Sequence, residues 1–162
     1  MSADNQQGRL DMKKLSAGYI VGFVDGEGSF HVAVYQDPRM KVGVKFIPEF
    51  HVSQRESSRA VLDAFVPFLG CGYVKANHAK NPRDMTYVFV VRDREDLLKK
   101  IIPFFQKHLL QTEKANDFSL FANIVTKMAN GHHLNKAGAK RLLKIAYRMN
   151  QNGRYRKKFH HI

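Results

Sequence analysis

The sequence predicts an α+β domain, an antiparallel four-stranded sheet with helices packed on one face. Three observations carry this. Four short segments read as strands, two of them, Ser29–Gln36 and Gly43–Gln54, with apolar and polar residues alternating. They fall in two pairs, each joined by a turn, so they form hairpins rather than parallel crossovers. Segments of helical character separate and follow the pairs, in the order α-ββ-α-ββ-α-α-α. The second sheet face is then free to meet a partner.

Residues 1–12 are a polar lead-in. Leu15 to Asp25 has helical length, with glycines in and beside it. Ser29 to Gln36 is a strand: Phe30, Val32 and Val34 face one way, His31 and Tyr35 the other. Asp37-Pro38-Arg39 marks a turn. Gly43 to Gln54 alternates again, with Val44, Phe46, Phe50 and Val52 inward and Lys45, Glu49, His51 and Ser53 outward. Pro48 within it points to an edge position or a bulge. Ser57 or Ser58 caps a helix to Leu69, which Gly70 stops. Gly72–His78 and Met85–Arg92 form the second hairpin. Asp93 caps a helix to Phe105, and helices over 112–130 and 134–150 follow. Residues 1–150 thus make one domain, and 151–162 a basic C-terminal tail.

The outward strand positions include His31, Tyr35, Lys45, Glu49, His51, Lys75, Asn77, Thr86 and Arg92. They mix donors, acceptors and aromatics, as suits a surface that reads base edges in a DNA major groove. Charge agrees. The 162 residues carry 27 Lys and Arg against 14 Asp and Glu, a net charge of +13. A folded domain this basic points to a polyanion. The last 45 residues hold 10 of the cations and no acid. One cysteine, Cys71, excludes an internal disulfide and any Cys-based zinc site. The longest apolar run is roughly half a membrane span, and no secretory signal is visible. A cytoplasmic location is expected, or an organellar one in a eukaryote, with no membrane partner.

Gly18, Gly22 and Gly26 recur every four residues, on one side of a helix. Each costs about 1 kcal/mol relative to Ala, so close packing of another helix there is expected. No second copy of the pattern occurs in the chain, and a two-fold homodimer is the simplest source of a partner. Asp25-Gly26-Glu27-Gly28 follows. Two acids at the negative end of a helix, beside glycine carbonyls, make a candidate site for a hard cation such as Mg²⁺.

These residues carry a resemblance. Ile20-Val21-Gly22-Phe23-Val24-Asp25-Gly26-Glu27-Gly28, then Ser29-Phe30 and an alternating strand, resembles the motif of LAGLIDADG homing endonucleases. The likeness extends to Phe50–Gln54, to Gly70–Val74, and to the stretch from Ile101 to Phe118. It covers roughly residues 15–150 and is nearest to members encoded in introns of large ribosomal RNA genes.

The resemblance implies an αββαββα fold with extra C-terminal helices, and a homodimer whose motif helices meet at the axis through Gly18, Gly22 and Asp25. It implies two sheets saddling double-stranded DNA, and cleavage across the minor groove that leaves short 3′ overhangs. Glu27, with the Gly26 carbonyl, would hold Mg²⁺ or another divalent cation. Glu stands here where the named motif has Asp. Gln54 matches a position that orients water and metal. A basic residue also belongs there: Lys114, with Lys107 and His108 as alternatives. Arg55 and Arg59 would line the site or hold phosphates. Two other readings fit the same fold: an intron RNA maturase, with intron RNA as partner, and a DNA-binding regulator that does not cut. An acid at Glu27 favours the enzyme.

Overall fold

Ser16 opens the first helix in a computed structural model that describes residues 15–81 and 83–150. The lead-in and the tail assigned to 151–162 lie outside the described residues. The Ser16 hydroxyl accepts from the Tyr19 N–H, satisfying a donor the helix start leaves over. Helix α1 (Ala17–Glu27) buries Ile20, Val21 and Val24. It runs two residues past the expected end, so Asp25, Gly26 and Glu27 form its last turn rather than a loop after it. Gly28 is needed for close approach: a Cβ there would lie 2.6 Å from Val24 Cγ1 and 2.8 Å from the Val24 carbonyl oxygen.

Strands β1 (Gly28–Gln36) and β2 (Val44–Arg55) form the first hairpin, with Phe30 opposite Phe50 and His31 opposite Glu49. A 3-10 turn over Glu56–Ser58 precedes helix α2 (Arg59–Leu69), and the expected serine cap is not made. Gly70 ends α2 in the left-handed region, at φ 67°. Strands β3 (Tyr73–Ala76) and β4 (Thr86–Val91) form the second hairpin. The sheet is antiparallel and four-stranded, as expected, and its strands lie in the order β1-β2-β4-β3. β2 meets β4 only over Phe50–Arg55, so Pro48 sits where β2 has a free edge and its missing N–H breaks no ladder.

The Asp93 carboxylate caps the next helix, accepting from the Asp96 N–H at 3.0 Å. Helix α3 (Arg94–Asp96) passes through a π turn (Leu97–Ile101) into α4 (Ile102–Lys107). The widened turn precedes Pro103, which has no N–H to donate. Helices α5 (Lys114–Ala129) and α6 (Lys136–Tyr147) complete the described chain.

Helices α1, α2 and α5 pack on the sheet face carrying Phe30, Val32, Phe50, Val52, Phe89 and Val91. Phenylalanines fill the centre: Phe30 stacks on Phe50 at 4.8 Å between centroids, and Phe105, Phe118 and Phe121 close around Phe30. α6 buries Leu142, Leu143 and Ala146 and leaves Lys140, Arg141 and Lys144 exposed. Its start is crowded, since a Cβ on Gly138 would lie 1.9 Å from the His132 carbonyl oxygen. Gly138→Ala is expected to destabilise the chain by about 1–3 kcal/mol. A denaturant titration checks this; an unchanged midpoint would mean α6 does not dock this tightly.

Candidate functional site

Glu27 is exposed at the end of α1, where the helix presents its negative pole. A shallow pocket there is lined by Glu27, Ser53, Gln54, Arg55, Ser57, Ser58 and Thr86. The fold therefore brings together three predicted residues, Glu27, Gln54 and Arg55, because Gly28 pairs with Val52 and places the end of α1 beside the end of β2. Thr86, predicted for base reading, lines this pocket as well. Arg59 is directed elsewhere, its guanidinium 4.5 Å over the Tyr87 ring and 3.3 Å from Asp63.

Lys114, at the start of α5, comes to the residue that follows Glu27. Its Nζ donates to the Gly28 carbonyl. Burial pulls its pKa down, opposed by the negative charges of Asp25, Glu27 and Asp117. Of the alternatives, His108 packs its ring on Phe104, with centroids 4.9 Å apart, and Lys107 is exposed in the last turn of α4.

The Asp25 carboxylate is engaged within its own chain. It accepts from the Gln111 and Thr112 N–H groups at 2.9 and 3.2 Å, and from the Thr112 hydroxyl at 2.9 Å. Burial favours its neutral form, but these hydrogen bonds outweigh that and lower its pKa. Asp25 thus ties the loop before α5 to the end of α1, which sets Lys114 beside Glu27. The glycine stripe is bare: Gly18, Gly22 and Gly26 are exposed, and a Cβ on any of them would meet nothing within 4 Å.

The outer sheet face carries His31, Tyr35, Lys45, His51, Lys75 and Arg92, with Tyr35, Lys45, Lys75 and Arg92 exposed. Asn77 lies just past β3 and donates its N–H to the Thr86 carbonyl. Tyr73 belongs to this face too. It shares the parity of Lys75, a signal available in the sequence. Glu49 differs from expectation. It is only 8% exposed, because Arg92 folds over it and His51 Nδ1 lies 3.1 Å from its Oε1.

Burial works against the charged Glu49, yet the bonds to His51 and Arg92 hold its pKa at about 2. The folded value lies below the ordinary 4.5. This stabilisation is therefore complete above pH 4.5 and disappears as pH falls from there toward 2. The wild-type chain should lose stability over that window more steeply than Glu49→Gln. Urea midpoints measured across it decide, and parallel curves would contradict the pairing.

A family model described as LAGLIDADG endonuclease matches residues 20–125, which span the glycine-striped helix, both hairpins and most of α5. The chain belongs to the LAGLIDADG endonuclease family. It is 33% identical over 130 residues to the Probable intron-encoded endonuclease 2 of Neurospora crassa, covering 80% of this chain and 28% of that protein. It is 25% identical to the DNA endonuclease I-CeuI of Chlamydomonas moewusii, over 71% of this chain and 53% of the relative. The chain thus spans about a quarter to a half of these curated relatives. Among solved structures, the homing endonuclease I-TnaI superposes with a TM-score of 0.78 at 42% identity, covering 85% of this chain and 90% of the other. The LAGLIDADG homing endonuclease I-LtrWI bound to target DNA superposes with a TM-score of 0.81 at 26% identity, over 87% and 46%. The LAGLIDADG fold predicted from the motif is the observed one. Among the described residues, no helix is long and apolar enough to cross a membrane.

Proposed function

We propose that this LAGLIDADG chain is a homodimeric, site-specific DNA homing endonuclease that hydrolyses one phosphodiester in each strand with the aid of Mg²⁺. The observation that carries the reading is the meeting of Glu27, Gln54 and Arg55 in one pocket, with Lys114 held on the Gly28 carbonyl next to it, at the sheet end of a helix whose glycine face is bare. I-CeuI is named a DNA endonuclease, and I-LtrWI is described as bound to target DNA.

The donor set fits a hard cation. Glu27 offers an exposed carboxylate, the end of α1 offers carbonyl oxygens such as that of Gly26, and Gln54 adds an amide oxygen. When bound, Mg²⁺ supplies Lewis-acid stabilisation of charge on phosphate oxygens. The chain does the rest. Glu27 would hold the cation at the end of α1. Gln54 orients the attacking water. Lys114, positioned by the Asp25 tie, sets a positive charge beside the reacting phosphate. Arg55 holds a neighbouring phosphate. Tyr35, Lys45, Lys75 and Asn77 read base edges in the major groove. The exposed cations of α6 hold the DNA backbone, each neutralised phosphate adding about 0.9 to the salt slope. Two copies joined along α1 place two such sites on opposite strands.

A plasmid carrying the intronless insertion site tests the reading. With Mg²⁺ the purified protein should convert it to a single linear product, and EDTA should stop this. An intact plasmid under both conditions would sink the claim.

A further inference from the structure

A second cluster of ligand atoms sits on the outer sheet face, with a chemistry unlike that of the Glu27 pocket. His31 on β1 stands directly across from Glu49 on β2, and His51 follows two residues along on the same face. Each of the three offers one ligand atom, and these atoms all lie within 4.8 Å of one another. His51 Nδ1 is 3.1 Å from Glu49 Oε1. Two ligands at about 2.0–2.2 Å from a tetrahedral ion stand about 3.3–3.5 Å apart. One edge is therefore near its bound length, and the third ligand atom lies within 4.8 Å of both.

The surroundings hold this arrangement. All three residues lie on one paired antiparallel ladder, which fixes their Cα positions. The His31 and His51 rings meet edge to face, with centroids 5.6 Å apart. Glu49 is buried and ionised, and Arg92 grips its Oε2, as partners of metal-ligating carboxylates do, leaving Oε1 toward the histidines. Two imidazoles and one carboxylate suit zinc and its neighbours; Mg²⁺ prefers oxygen ligands and keeps its waters.

We propose that His31, Glu49 and His51 form a binding site for a late first-row transition-metal ion of the zinc class, with a ligand set that excludes Glu27. Three protein ligands leave one coordination position open to the outer face of the sheet. The site stands apart from the endonuclease reading, because metal binding is measured without DNA.

Co²⁺ titration of the full chain, followed by visible absorption, tests the site. The expected result is one tightly held Co²⁺ per chain, displaced by Zn²⁺. Binding should persist in Glu27→Gln and in His78→Ala, and weaken by at least about 10-fold in His31→Ala and in His51→Ala. His51→Cys keeps a ligand and should add a thiolate-to-cobalt charge-transfer band that the wild type lacks. Three results would overturn the proposal: no Co²⁺ absorption from the wild type, unchanged affinity in both alanine variants, or no thiolate band in His51→Cys.

Discussion

Glu27→Gln should yield a protein that binds its DNA site and does not cut it. Glu27 is exposed in the last turn of α1, so an amide of the same shape disturbs no packing. Its charge is what the proposed chemistry needs. A carboxylate at the negative pole of a helix is locally unfavourable, and a bound cation offsets that cost. With several kcal/mol of transition-state stabilisation depending on that cation, cutting should fall about a thousandfold or more. Binding should hold or tighten, because a negative charge beside phosphates has been removed. Gel-shift titration and single-turnover cleavage on the same duplex separate the two effects. Loss of binding would make Glu27 a structural residue instead.

Gly22→Leu should leave the chain folded and the dimer broken. A Cβ at Gly22 meets nothing within 4 Å, and leaving Gly inside a helix gains about 1 kcal/mol. The isolated subunit should therefore be as stable as the wild type or more so. If α1 packs on its copy across a two-fold axis, each substitution occurs twice at the contact. Overpacking of about 1–3 kcal/mol per side chain then weakens the dimer by tens- to tens-of-thousands-fold, and double-strand cutting goes with it. Sedimentation equilibrium reads the association, and thermal unfolding reads the fold. A dimer of unchanged strength would place the interface elsewhere.

How much of this was readable beforehand depends on how local the cause is. The two-residue alternation of Phe30, Val32 and Val34 against His31 and Tyr35 fixed the faces of β1, because that period reports burial directly. The glycine spacing located the bare side of α1 for the same reason. Contacts between distant segments were not readable. Lys114 meets the Gly28 carbonyl only because Asp25 binds the loop at Gln111 and Thr112, across 86 residues. Glu49 counted as an outward acid, and its burial depends on Arg92, 43 residues away. The His31–Glu49–His51 cluster was in view residue by residue, but only the register of β1 on β2 assembles it. Ser58 stands at the cap position but makes no side-chain cap bond, since it is the last residue of the 3-10 turn that leads into α2.

Strand mapping of the cleaved site reads where each of the two proposed Glu27 pockets cuts. Two copies of the Glu27 pocket, joined along α1 and facing one minor groove, should cut both strands once each. The two breaks should lie symmetrically about the centre of the site and leave short 3′ overhangs. Run-off sequencing of both strands reads the positions. Blunt or 5′-overhanging ends, a nick in one strand only, or breaks scattered over the duplex would rule out two Glu27 pockets acting across one minor groove.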